Sequence, residues 1–189
     1  MTGPYRGKRL VDLALLVVLA VPALVLAVPC ALAVKLTSPG PSLFRQERIG
    51  RDGRTFELLK FRTMAVGENA LIPDQADITR VGAVLRRLSL DELPQLLNVA
   101  RGEMSIVGPR PTLAYQVERY TDAQRRRLCV NPGVTGFAQL QGRNEIPWAR
   151  RIEYDLEYID TFQSPGRDAS ILVRSVLAAL TGGGVDGHP

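Results

Sequence analysis

The uncharged, apolar stretch from Leu13 to Val34 limits what this chain can fold into more than any other feature. As a helix it would be about 33 Å long, against roughly 30 Å of bilayer hydrocarbon, so it belongs in lipid. A cleaved leader does not fit: the apolar core of a leader runs about 7–15 residues before a small-residue cleavage site, whereas this stretch continues straight to Lys35. Pro22, near the middle, lacks a backbone donor and clashes with the carbonyl one turn earlier. A break or strong kink is expected there, with Pro29 as a second site. Basic residues stand on both flanks, Arg6, Lys8 and Arg9 before and Lys35, Arg45 and Arg48 after, whereas a simple span carries its positive bias on one side. Both flanks therefore read as cytoplasmic. A helix that enters the bilayer, breaks at Pro22 and returns accounts for this, and a kinked transmembrane helix is the alternative.

The 189 residues, 46% hydrophobic and 23% charged, suffice for one cored domain beside that membrane element. The expected division is a re-entrant membrane helix over 1–36, a cytoplasmic-face domain over 37–180 and a flexible, Gly-rich tail over 181–189. Much of the formal +5 charge lies around the apolar run. The near-balanced remainder argues against a polycationic nucleic-acid binder. Cys30 and Cys129 have neither metal-ligand nor redox spacing, which suits a reduced cytosolic setting. The lone histidine, His188, is in the tail, so a histidine- or zinc-based mechanism is not expected.

The fold class reads as α+β, mainly helical, with a small β-hairpin and amphipathic interface helices. Ser38-Pro39-Gly40-Pro41 ends the membrane helix. Leu43 to Ile49 and Thr55 to Phe61 flank Gly50-Arg51-Asp52-Gly53 as hairpin strands, with Lys60 and Arg62 on one face and Phe61 on the other. Apolar spacing over Thr79 to Leu97 implies two helices. Asp91 is the expected N-cap of the second, since Pro94 then falls in the first turn, where its missing N–H costs nothing. Met104 to Pro111 starts apolar and closes with two prolines around Arg110, so it is expected to be extended and stiff. Leu113 to Val130 reads as one helix whose Arg125, Arg126 and Arg127 form a solvated or headgroup-facing patch. Trp148 to Phe162 and Asp168 to Leu180 read as amphipathic helices. On the last, Ile171, Leu172, Val176, Leu177 and Leu180 suit either a core or a bilayer.

One constellation carries chemistry. Asp91 and Glu92 stand at a helix start beside Arg86 and Arg87. Acidic residues in a first turn are commonly there only for the helix dipole. Here a membrane segment, a restrained Arg-Pro pair and a Lys60/Arg62 strand keep them company, and a helix start itself favours anions. A carboxylate beside cations is expected to keep a low pKa and stay ionised, as a nucleophile toward phosphorus requires. Adjacent carboxylates also suit Mg²⁺, which holds phosphate oxygens through one or two protein ligands and water.

Lys8-Arg9-Leu10-Val11-Asp12, Ser38-Pro39-Gly40-Pro41, Gln46-Glu47-Arg48-Ile49-Gly50, Lys60-Phe61-Arg62-Thr63-Met64, the run from Leu85 to Gln95, Ser105-Ile106-Val107-Gly108-Pro109-Arg110-Pro111 and Pro132-Gly133-Val134-Thr135-Gly136 together resemble the bacterial sugar transferase family of monotopic phosphoglycosyl transferases. The resemblance runs from residue 6 to about residue 175, in motif order. It implies a re-entrant helix broken at Pro22, at the cytoplasmic face of the bacterial inner membrane, and an Asp-Glu dyad matching Asp91 and Glu92. In the family the Asp is the nucleophile that forms a covalent phosphosugar intermediate, the Glu supports catalysis and Mg²⁺ is required, with Asp91 and Glu92 as its candidate ligands. Arg86 matches an arginine associated with phosphate binding, and Lys60, Arg62 and Arg110 match basic motif positions. Arg143 is a candidate substrate contact. The family often has serine before the helix-breaking proline, where this chain has Val21.

The implied activity is transfer of a sugar-1-phosphate from a UDP-sugar to polyprenyl (undecaprenyl) phosphate with release of UMP, the opening step of glycoconjugate assembly. The implied partners are those two substrates and a phospholipid bilayer, without nucleic acid, and a homo-oligomer is compatible. The competing reading is a noncatalytic module that binds anionic headgroups with the same basic groups. It leaves the dyad without a purpose.

Overall fold

A computed structural model describes residues 3–65, 77–142 and 146–181. The expected tail and Arg143 therefore fall outside the described residues, apart from Thr181. The apolar run forms most of helix α1 (Lys8–Thr37), which is long and apolar enough to cross a membrane. The helix continues without interruption through Pro22 and Pro29, so the expected break is not seen as a helix end. Each proline removes one N–H, and the turns on either side retain theirs.

Both ends of α1 dock on the same globular body. At the N-terminal end, buried Lys8 bridges Asp12 at 2.8 Å and Asp168 at 2.9 Å. Asp12 accepts from Ser105 Oγ at 2.9 Å and Ile106 N at 3.0 Å, and Asp168 accepts from Tyr158 Oη at 2.6 Å and Tyr5 Oη at 2.9 Å. Buried charges persist only when paired and hydrogen-bonded in this way. At the other end, Cys30 and Val34 form a buried cluster with Phe61 and Leu85. Between these ends Val17, Val18, Val21, Leu24 and Val25 are exposed, an apolar surface that water disfavours.

Strands β1 (Leu43–Ile49) and β2 (Thr55–Phe61) pair antiparallel, Leu43 opposite Phe61 and Ile49 opposite Thr55. The expected hairpin is thus found with the expected strand bounds. Its turn uses the left-handed region at Asp52 (φ 56°) and Gly53 (φ 76°). Helix α2 (Arg80–Arg87) is capped by Thr79 Oγ1, which accepts from Gly82 N at 2.9 Å. Helix α3 (Gln95–Arg101) is tied to β2 by wholly buried Asn98: its Oδ1 accepts from Leu59 N at 3.1 Å and its Nδ2 donates to Glu57 O at 2.7 Å.

The extended segment expected after Gly102 contains β3 (Ser105–Val107), which pairs in parallel with β4 (Gly133–Thr135). The approach is so close that a Cβ on Gly133 would lie 2.1 Å from Gly108 N, and one on Gly136 would lie 2.2 Å from Gly108 O. Glycine is needed at both positions for that reason. The single helix expected over Leu113 to Val130 is instead α4 (Ala114–Glu118), α5 (Asp122–Arg125) and a 3₁₀ turn over Arg126–Cys129. Thr121 starts a new helix there through a capping box with Gln124. Helices α6 (Phe137–Leu140), α7 (Trp148–Glu157), continued by a π turn over Tyr158–Phe162, and α8 (Pro165–Thr181) complete the chain.

The main core joins Leu58, Val99, Met104, Ile106, Val107, Val130, Phe137, Tyr158, Ile159 and Ile171, each large aliphatic contributing about 1.5–3 kcal/mol by burial. Helix α8 divides its apolar residues. Ile171 is buried and Leu172 packs on the core, whereas Val173, Val176, Leu177 and Leu180 face outward.

Candidate active site

Asp91 and Glu92 lie on a 3₁₀ turn, Leu90–Glu92, between α2 and α3. Asp91 is therefore not the N-cap of a helix, as expected from Pro94. Helix α3 begins only at Gln95, and i→i+3 bonds, Glu92 N to Ser89 O and Leu93 N to Leu90 O, both 3.3 Å, fill the space before the proline. Ser89 enters the turn at φ 56°, left-handed for a non-glycine residue. That costs on the order of 1 kcal/mol and turns the chain so that both carboxylates face β2.

The cations are divided unequally between the two carboxylates. Lys60 Nζ, from β2, is 2.9 Å from Glu92 Oε1 and 3.8 Å from Asp91 Oδ2. Arg110 Nη2 reaches the same Glu92 oxygen at 3.2 Å. Burial alone would raise the Glu92 carboxyl, but the Arg110 and Lys60 charges and their hydrogen bonds outweigh it and hold the group down at about 2. Asp91, 8% exposed, differs. Burial pushes its carboxyl up; Lys60 opposes this, the Glu92 charge reinforces it, and Arg110 and Arg86 oppose it without cancelling it. The low pKa expected for both acids holds for Glu92 and is reversed at Asp91, because ion pairing goes to one and desolvation dominates the other. Among the described residues, no hydrogen bond to the Asp91 carboxylate is formed.

The other sequence candidates separate into two groups. Arg86 Nε donates to Thr63 Oγ1 at 2.8 Å while its charge acts on Asp91, so Arg86, Lys60 and Arg110 belong to this centre. Arg62 does not. It is 7% exposed, and its guanidinium donates to Ser38 O and Ser38 Oγ, both at 2.8 Å, and to Pro39 O. These oxygens lie just past the C-terminal end of α1, and Arg62 fastens them. Strand alternation puts Lys60 and Arg62 on one face but cannot say where either long side chain ends.

Sequence reasoning missed Asn98, which ties α3 to the strand bearing Lys60. It also misread Arg127, whose buried side chain pairs with Asp155 at 2.6 Å instead of facing solvent or headgroups. An arginine run carries no signal that one member turns inward. Arg126 does lie outward, paired with Asp160.

As a donor set for a divalent cation, the described residues offer no cluster of three or more acidic, histidine or cysteine side chains. They offer two adjacent carboxylates, one without a hydrogen-bonded donor. That is the protein share Mg²⁺ requires when phosphate oxygens and water supply the rest.

The bacterial sugar transferase family model matches residues 4–182. The uncharacterised sugar transferase EpsL of Bacillus subtilis is 41% identical over 181 residues, covering 94% of this chain and 89% of the relative. The UDP-glucose:undecaprenyl-phosphate glucose-1-phosphate transferase of Caulobacter vibrioides is 45% identical, covering 92% of this chain and 70% of the relative. The Escherichia coli protein of the same name is 47% identical over 82% of this chain but only 38% of its own length. The dyad turn with its converging cations thus stands in a chain matched nearly end to end, and this chain belongs to the bacterial sugar transferase family.

Proposed function

We propose that this chain transfers a sugar-1-phosphate from a UDP-sugar to polyprenyl phosphate, with Asp91 as the nucleophile. The observation that carries the reading is the unequal division of charge on the dyad turn: Glu92 takes the hydrogen bonds of Lys60 and Arg110, and Asp91 keeps a buried carboxylate whose contact with Lys60, at 3.8 Å, is an ion pair without a hydrogen bond. A desolvated carboxylate is a stronger nucleophile than a hydrated one, and three cations still favour its ionised form. The names of the relatives supply the substrate classes, a UDP-sugar and undecaprenyl phosphate.

In the first step an Asp91 carboxylate oxygen attacks the β-phosphorus. A bond forms between that oxygen and phosphorus, the bond from phosphorus to the bridging oxygen breaks, and UMP leaves with the electron pair. In the second step a phosphate oxygen of the lipid attacks the aspartyl phosphosugar. The bond to Asp91 breaks, and the carboxylate is restored. Lys60, Arg110 and Arg86 reduce the repulsion between the carboxylates and the incoming diphosphate. Mg²⁺, held by Asp91 and Glu92 with substrate oxygens, would neutralise diphosphate charge.

The reading includes a membrane setting at the cytoplasmic face. Both ends of α1 pack on one globular body while its middle presents apolar side chains outward, which supports a helix that enters the bilayer, breaks at Pro22 once in lipid and returns.

Incubation with UDP-sugar and Mg²⁺, lipid omitted, tests the mechanism. At most one UMP per site is expected, together with a sugar-phosphate mass on the peptide containing Asp91 that added polyprenyl phosphate discharges. Asp91→Asn abolishes both. UMP release only in the presence of both substrates, with no adduct trapped by rapid quench, would replace this mechanism with direct displacement.

A further inference from the structure

Arg110 reaches Glu92 from a segment that has few hydrogen-bond donors of its own, since Pro109 and Pro111 on either side have no N–H. The segment is held through its carbonyls instead. Pro109 O accepts from Gly133 N at 2.8 Å, Arg110 O from Arg127 Nη2 at 3.1 Å, Pro111 O from Arg48 Nη1 at 3.3 Å and Thr112 O from Ile49 N at 2.9 Å. Successive carbonyls are thus gripped from β4, from the turn after α5 and twice from β1.

Arg127 is the donor on Arg110 itself, and its surroundings are built for that contact. Its side chain is 5% exposed and that of Asp155 is 3% exposed. The same Nη2 is 2.6 Å from Asp155 Oδ2, and Nη1 donates to Tyr120 Oη. A buried ion pair is a weak source of stability, because an apolar pair of similar volume commonly serves as well. What an apolar pair cannot do is aim a charged donor at a carbonyl. The aim matters here because the Arg110 side chain is half-exposed and would otherwise sample many rotamers from a loose backbone.

We propose that Arg127, held by Asp155, is a positioning residue for Arg110, fixing its carbonyl so that its guanidinium stays on Glu92. The inference rests on the proposed reaction only for its rate readout. The Arg110 to Glu92 contact can be read without turnover.

The test uses the full chain in detergent micelles. Replacing the pair together, Arg127→Met with Asp155→Leu, removes the grip without leaving a lone buried charge. This double variant is compared with Arg110→Ala and with the triple variant, following the order of the Arg110 Nε–H by ¹⁵N NMR at neutral pH, assigned through Arg110→Ala, and kcat/KM for UMP release. The expected result is a cooperative melt and an Arg110 side chain as mobile in the double variant as in Glu92→Gln. The kcat/KM losses of the double variant and of Arg110→Ala should fail to add in the triple. A folded double variant whose Arg110 side chain keeps wild-type order, or strictly additive losses, would overturn the proposal. Should the double variant not melt cooperatively, Arg127→Lys decides: it keeps a charge for Asp155 but lacks the fork needed for carboxylate and carbonyl together, and an Arg110 side chain of wild-type order there overturns the proposal equally. If Arg110→Ala leaves kcat/KM intact while the Arg110 side chain loosens in Arg127→Lys and in the double variant, positioning stands and it is the proposed role of Arg110 in the reaction that fails.

Discussion

Lys60 Nζ lies 2.9 Å from Glu92 Oε1 and 3.8 Å from Asp91 Oδ2, so the cation nearest the dyad hydrogen-bonds the second acid and leaves the first one open. This asymmetry assigns different work to two adjacent carboxylates of the same charge. Glu92 is the anchor for cations, and Asp91 is the group whose protonation state responds to its surroundings.

The acid limb of kcat/KM should therefore follow Asp91. The proposed attack needs its ionised form, so the rate rises with pH through the carboxyl pKa, which burial places above the ordinary range. Lys60→Met removes a charge that lowers this pKa and moves the limb to higher pH. Glu92→Gln removes a charge that raises it and moves the limb to lower pH. Both variants should also lose on the order of 10²-fold in rate. A limb that stays in place in both variants would detach it from Asp91.

Stability should fall in acid with a contribution traceable to Glu92. Its folded pKa, about 2, lies below the ordinary 4.5, so its stabilisation is present above pH 4.5 and is lost as pH falls toward 2. Asp91, shifted upward, contributes with the opposite sign. Comparing wild type with Glu92→Gln isolates the former. The gap in unfolding free energy between them should narrow by on the order of 2–3 kcal/mol across that window, measured by urea titration in micelles.

Arg62→Ala should be a folding lesion. It leaves Ser38 O and Pro39 O without their charged donor, a loss on the order of 2–4 kcal/mol, or roughly 5–15 °C in melting temperature. Turnover per folded molecule should stay within about threefold of wild type, in contrast to Lys60→Met. A normal melt with turnover lost would return Arg62 to the substrate site.

Topology is testable by cysteine labelling after replacing Cys30 and Cys129. A cysteine at position 3 and one at position 101 should both be shielded from an impermeant reagent added outside intact cells. Labelling of position 3 alone would establish a single span. Pro22→Leu should push molecules toward that span, because it restores the missing helix hydrogen bond.

The local elements were legible in the sequence for local reasons. An uncharged run of bilayer length, hairpin strands around a Gly-bearing turn, and helical spacing after Thr79 each follow from periodicity and turn chemistry within a few residues. Asp91 and Glu92 stood out through their company across the sequence, since an acidic pair at a helix start is by itself commonly there only for the helix dipole. Tertiary structure decided what depends on contacts between distant residues. Lys60 and Arg62, two positions apart, end at Glu92 and beside the end of α1 respectively, since a long side chain goes to whichever acceptor the packed neighbours present. Arg127 turns inward only because Asp155, from α7, is there to pair with it. The opposite pKa shifts of Asp91 and Glu92 likewise depend on burial and on cations arriving from β2 and from the segment after β3, and desolvation cannot be assigned to a carboxylate until the chain around it has folded.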